Sequence, residues 1–143
     1  MIAQNVDECF KLRLLRKIQP DIKKSKRSLE IARARLKRAA EALHAAFFEF
    51  VVLEAYMAMF HAARALLYKD GVQEKSHYAI SVYLKERYNS TVPTNIINLL
   101  NIHRIERHEA MYGLDYKPEK EDALTAVADA KLFVQEMERA LHG

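Results

Sequence analysis

Residues 55–67 read Ala55-Tyr56-Met57-Ala58-Met59-Phe60-His61-Ala62-Ala63-Arg64-Ala65-Leu66-Leu67. Neither Gly nor Pro interrupts this run, and Ala, Leu, Met and Arg are strong helix formers. The helical pattern extends from Phe47 to Lys69. Val51, Leu53, Tyr56, Met57, Phe60, Ala63 and Leu67 cover a wide face of it. A helix this apolar belongs at the centre of a bundle or in an interface. Asp70-Gly71 ends it, with Gly71 suited to the left-handed position after a helix.

On the N-terminal side, Leu29, Ala32, Leu36, Ala39 and Leu43 form an apolar stripe at helical spacing. Ser28 is the candidate N-cap of that helix, which runs to about Ala46. The join from His44 to Phe50 has no breaker. An unbroken helix there would exceed about forty residues, so a turn is expected. Further upstream, Phe10, Leu14 and Ile18 suggest a helix from Asp7 to Ile18, which Pro20 stops. On the C-terminal side, Ser76 can cap a short helix from His77 to about Tyr88, with Ile80, Tyr83, Leu84 and Tyr88 inward. Asn89 to Pro93 is turn-like. Thr94 can cap a helix that carries Ile97, Leu100 and Ile105 and ends near Gly113. Pro118 or Glu119 opens a last helix with the stripe Ala123, Val127, Ala130, Val134 and Met137. No segment alternates with period two, so no strand is expected.

The fold class is therefore all-α: an antiparallel up-and-down bundle of about five helices, with room for an extra N-terminal one. Residues 1–20 read as an N-terminal helical extension and residues 21–143 as the bundle.

The 143 residues fit one domain, half of them are apolar, and only three Gly and three Pro are present. The single cysteine, Cys9, cannot form an internal disulfide. No secretory signal is visible, and the most apolar stretch, Ala45 to Met59, is short for a bilayer and carries Glu49 and Glu54. A cytoplasmic protein without membrane attachment is expected. The net charge of +4 is unevenly spread: Lys11 to Arg38 holds twelve Lys or Arg against Asp21 and Glu30, a local net of +10. Such a segment attracts phosphate or an acidic protein, or is simply a solvated helix face. No aromatic residue lies between Ile18 and Ala46, so this segment has no base-stacking platform of its own.

Three strings in order resemble the HEPN family of small helical domains. They are the 55–67 helix, Ser76-His77, and Arg107-His108-Glu109-Ala110-Met111-Tyr112, which is similar to that family's R-x-x-A-D-Y element. The resemblance covers roughly Ser28 to Leu141. It implies a bundle that binds nucleotides or RNA, commonly as a homodimer. It also implies pairing with a minimal nucleotidyltransferase in a two-component or toxin–antitoxin-like system. This chain carries no nucleotidyltransferase signature, so such a partner would be a separate protein. Some members are metal-independent ribonucleases with an R-x(4–6)-H motif, in which His moves the proton of the RNA 2′-hydroxyl and Arg holds the phosphate.

Here the position four intervening residues beyond Arg107 is Tyr112, not His. Tyrosine, with a reference pKa near ~10, is a poor base at neutral pH. His108 directly follows Arg107, about 100° around the helix. Arg104 and His108 share a face, and His103 and Arg107 form a second such pair. Arg38 and His44 also fit the motif spacing, but on another helix. The resemblance thus implies Arg104, Arg107, Tyr116, His61 and Arg64 as nucleotide- or phosphate-binding residues. Arg107, His108 and Tyr112 are the candidates for any catalysis. The alternatives are a metal-independent endoribonuclease using Arg107 with His108 or Tyr112, and a non-catalytic dimerisation or interaction domain. Arg104, Arg107 and His108 would then be a surface salted against Glu106 and Glu109, and Tyr112 and Tyr116 would be partly buried aromatics. His61 and His77 also have structural readings: a buried imidazole bonded to a neighbour, and a pin for the helix it begins. No metal-ligand spacing, P-loop or G-x-G-x-x-G occurs, and no cofactor is expected.

Overall fold

The computed structural model describes residues 2–143. Its elements run α1 (Val6–Lys11), β1 (Leu15–Lys17), α2 (Ile22–His44), α3 (Phe48–Asp70), β2 (Val72–Glu74), α4 (His77–Arg87), α5 (Thr94–Tyr112) and α6 (Lys120–His142). The architecture is the expected all-α bundle, with a short sixth helix at its N-terminal end and a two-stranded ribbon added.

Helix α3 is the hub, packed by α2, α4, α5, α6 and β2. Val51, Ala55, Tyr56, Met59, Leu66 and Leu67 are fully enclosed along it. Its 23 residues are long and apolar enough to cross a bilayer, beyond what the 45–59 stretch suggests, but here they form the core of a bundle. The stripe of α6 is buried as read, with Phe133 added.

Small residues let α2 lie close to α3. Ser25, Ser28, Ala32 and Ala39 are buried at the contact. The Ser25 hydroxyl donates to the Ala65 carbonyl and the Ser28 hydroxyl to the His61 carbonyl, both at 2.7 Å. Ser28 is therefore an interior residue and not the N-cap. The cap is Asp21, whose carboxylate accepts the Lys24 N–H at 2.9 Å. The turn after α2 is a Schellman closure with Ala46 at φ 62°, Phe47 N donating to Ala42 O and Ala46 N to Leu43 O. The expected turn is present, with alanine where glycine is usual.

The helix expected over Asp7–Ile18 ends at Lys11. Arg13 takes φ 59°, and the chain enters β1, which pairs antiparallel with β2 so that Leu15 faces Glu74 and Lys17 faces Val72. Gly71 makes this ribbon possible. It closes α3 at φ 81°, and a Cβ there would lie 2.8 Å from the Ile18 carbonyl. Ala3, Val6, Cys9 and Leu15 insert into the core beside α4. Ile105 is half exposed. Ile96, Ile97, Leu100, His103 and Ala110 hold the inner face of α5 instead. Helix α6 begins with a capping box between Glu119 and Asp122, and α5 begins at Thr94 after Pro93 rather than being capped by Thr94.

Candidate functional site

The site forms where α3, α5 and the start of α4 meet. Tyr56 is fully buried on α3, and its hydroxyl lies 2.8 Å from His77 Nδ1. The His77 ring stacks on Phe60 at 4.2 Å between centroids. His77 thus pins the first turn of α4 to α3. Burial pushes the Tyr56 phenol up to about 12, against the opposing pull of Arg107 and Arg104, whose charges favour the phenolate. It stays protonated and holds its hydrogen bond.

Two arginines of α5 lie near this pair. Arg107 lies over the Tyr56 ring at 5.5 Å, a cation–π contact. Arg104, one turn before it, donates Nε to the Asn101 side-chain oxygen at 2.8 Å. Among the described residues neither arginine takes part in an ion pair. Of the two acids read as their counterions, Glu106 and Glu109, neither pairs with them among the described residues, and Glu106 is committed elsewhere. It bonds His103 Nδ1 at 3.0 Å and accepts the Tyr116 hydroxyl at 2.8 Å, while His103 Nε2 lies 2.8 Å from Asp129 on α6. Burial disfavours the His103 charge, but the two carboxylates outweigh it and raise its pKa.

Arg64 borders the same cluster on α3. Its guanidinium lies 5.1 Å from the ring centres of both Phe60 and Tyr68. Its Nε is 2.6 Å from Glu74 Oε1, an ion pair in which the N–H does not point along the hydrogen-bond line. His61 stands beside it, edge-on to Phe60, with a buried Nδ1 that has no hydrogen-bond partner among the described residues. Burial, then the Arg64 and Arg35 charges, lower the His61 pKa to about 4. Burial, then Arg107, Arg104 and Arg64, lower that of His77. Two neutral imidazoles therefore sit among cations, a field that favours an anion.

The residues singled out in the sequence fall into three places. Arg104 and Arg107 gather around Tyr56 and His77, with Arg64 and His61 along the next turns of α3. His108 and Tyr112 project outward as a pair, 5.0 Å between ring centres, with Tyr112 65% exposed; Tyr112 is not a partly buried aromatic. Tyr116 is held by Glu106, on the side of α5 that faces α6. Tyr56, Phe60 and His77 were missed as members of the cluster, although all three belong to the strings that carry the family resemblance. A separate recess of about 450 Å³ lies against α4, lined by Gln4, Tyr78, Ser81, Lys85, Glu86 and Asn101. It touches the arginine cluster only through Asn101.

This is an all-α bundle with an uncompensated arginine pair at the α3–α5 crossing. The HEPN domain family profile matches residues 25–140, and the chain belongs to that family. It is also 29% identical over 123 residues to a protein of Methanocaldococcus jannaschii that is named as a candidate toxin, covering 79% of this chain and 85% of that one.

Proposed function

We propose that this HEPN domain is a nucleotide- or RNA-binding module of a toxin–antitoxin-like system. Arg104 and Arg107 hold phosphate, and His108 assists from the flank. The observation that carries this reading is the pair of half-buried guanidiniums without carboxylate partners among the described residues, Arg107 over Tyr56 and Arg104 held by Asn101, beside neutral imidazoles. Buried or half-buried cations normally have counterions, and arginine forks match phosphate oxygens. The similarity to a protein named as a candidate toxin supports the system-level part.

The module acts as a homodimer. Ile102, Ile105, Tyr112 and Leu114 at α5, and Phe47 and Phe50 at the start of α3, are each more than half exposed. Single exposed apolar residues are ordinary, but several along the outer face of one helix mark a docking surface. Pairing through the outer face of α5 would bring two copies of Arg104, His108 and Tyr112 to one cleft. A separate nucleotidyltransferase is the expected second partner. Binding is favoured over RNA cleavage because His108 points outward, away from Arg107, and Tyr112 occupies the position of the motif histidine.

The test is retention and cleavage of labelled single-stranded RNA by the purified protein in EDTA. Binding without cleavage is expected, with Arg107→Ala weakening it by about tenfold or more, the scale of a lost charged hydrogen bond. Cleavage that vanishes in Arg107→Ala would move the reading to a ribonuclease. No binding and no cleavage would leave the interaction-domain reading.

A further inference from the structure

On α3, Tyr56, Phe60, Arg64 and Tyr68 follow one another at intervals of four and form one ridge. Each aromatic ring of the ridge carries a cation. Arg107 covers Tyr56, and Arg64 covers Phe60 and Tyr68. Lys24 of α2 lies 5.7 Å from the Tyr68 ring centre. Beside the far end of the ridge, between α2 and α3, is a recess of about 170 Å³ lined by Lys24, Arg27, Ser28, His61, Arg64 and Tyr68. The basic helix α2, which has no aromatic of its own in this region, thus borrows Tyr68 from α3.

Three properties of this recess limit what it can hold. It is smaller than the ~300–1,000 Å³ of sites that enclose a small molecule, so it suits one phosphate group rather than a whole nucleotide. Its far end lies three to four helical turns from Arg107: Lys24 sits by Tyr68, and the twelve-residue step from Tyr56 to Tyr68 is about 18 Å at 1.5 Å per residue. Arg64, two-thirds of the way along and paired with Glu74, lies between the two ends. Tyr56 is fully buried, Phe60 nearly so, and the half-buried Tyr68 has Lys24 and Arg64 by its ring, so bases have no bare ring to stack on. A groove of this kind follows a backbone and does not read sequence.

We infer that the Lys24–Arg27–Arg64 recess is a second phosphate subsite, and that the ligand is a single RNA strand running along the α3 ridge from Arg104 and Arg107 to α2. The inference rests on the phosphate-binding reading of Arg104 and Arg107 and names the substrate class for it: an oligonucleotide of several residues, bound through its phosphates with little sequence preference. It also gives the basic face of α2 a use.

The experiment is fluorescence-polarisation titration of the full chain with two labelled probes, a uridine dinucleotide and a twelve-residue oligouridine, at several salt concentrations. The variants are Lys24→Gln with Arg27→Gln, both at exposed positions where the fold does not depend on them, and Arg107→Ala. The double variant is expected to bind the twelve-mer about tenfold more weakly, with dinucleotide binding unchanged. Its log–log salt slope should fall by about 0.7, since a single strand contributes about 0.7 per phosphate contact and the recess holds one. Arg107→Ala should weaken both probes. A double variant that binds the twelve-mer with wild-type affinity and slope, while Arg107→Ala loses it, would overturn the second subsite and leave the first standing. Wild-type protein that binds neither probe would overturn the phosphate-binding reading itself, and this inference with it.

Discussion

His103 offers a measurable link between a buried charge and the stability of the bundle. Its side chain is only 5% exposed, and both ring nitrogens face carboxylates, Glu106 one turn on and Asp129 across on α6. The raised pKa means that the folded protein holds a proton that the unfolded chain gives up near pH ~6.5. The contribution is therefore complete below about pH 6.5 and is lost as pH rises through the higher folded value. Each unit of difference between the two states corresponds to about 1.4 kcal/mol. Replacement by leucine removes the proton binding and leaves Glu106 and Asp129 facing an apolar side chain. Both carboxylates keep some solvent, so the cost at pH 6 is about 2–3 kcal/mol, below the 3–5 typical of a fully buried broken pair. Urea unfolding of wild type and His103→Leu at pH 6, 7, 8 and 9 would measure this. The stability difference should be largest at pH 6 and shrink toward pH 9. A difference that stays constant across the series would refute the assignment of a charged His103 bridging α5 and α6.

The backbone makes paired predictions at two left-handed positions. Ala46→Gly should stabilise by about 0.5–1 kcal/mol, because alanine pays for its φ of 62°. Gly71→Ala should destabilise by about 2 kcal/mol or more, since it adds a contact at 2.8 Å to the same strain; thermal melts of both read the opposite signs. Tyr56→Phe keeps the ring under Arg107 but removes the partner of His77 Nδ1, and calorimetry should show a loss of about 1–2 kcal/mol. Acid should also weaken the fold. The lowered pKa values of His61 and His77 mean that the unfolded chain takes up protons first as pH falls below about 6.5. For His61, with a folded pKa of about 4, the loss by pH 4 is about 1–2 kcal/mol once solvent screening is allowed for. Circular dichroism of His61→Gln across pH 4–7 should show a shallower decline than wild type.

The helices were legible because their information is local. The apolar stripes of α3 and α6 and the breakers at Gly71 and Pro93 specify elements without reference to the rest of the chain. The ribbon was not legible. Each strand has three residues, and Leu15 and Val72 are the only apolar ones, too few to show a period of two. Phe10, Leu14 and Ile18 matched a helical spacing, yet Arg13 breaks it with a conformation that non-glycine residues rarely adopt. Ser28 shows the same limit from another side. A serine before an apolar stripe looks like a cap until a carbonyl from another helix is found to take its hydroxyl. Around Arg107 the sequence supplied the arginines but not their setting, because Tyr56 and His77 arrive from two other elements. The assignment of Glu106 to the arginines failed because Asp129, Tyr116 and His103 form a separate network that only the packing of α6 on α5 creates.

Val6 donates its N–H to Glu86, and β1 finds its strand partner in β2, more than fifty residues further along. During synthesis, residues 3–17 therefore leave the ribosome well before anything they can dock on. Helices α2 and α3 can pair as a local hairpin as soon as both exist. The N-terminal segment must wait until α4 is made, keeping Ala3, Val6, Cys9 and Leu15 in water meanwhile. Its docking therefore follows the synthesis of α4, and it ties residues 3–17 to the middle of the fold.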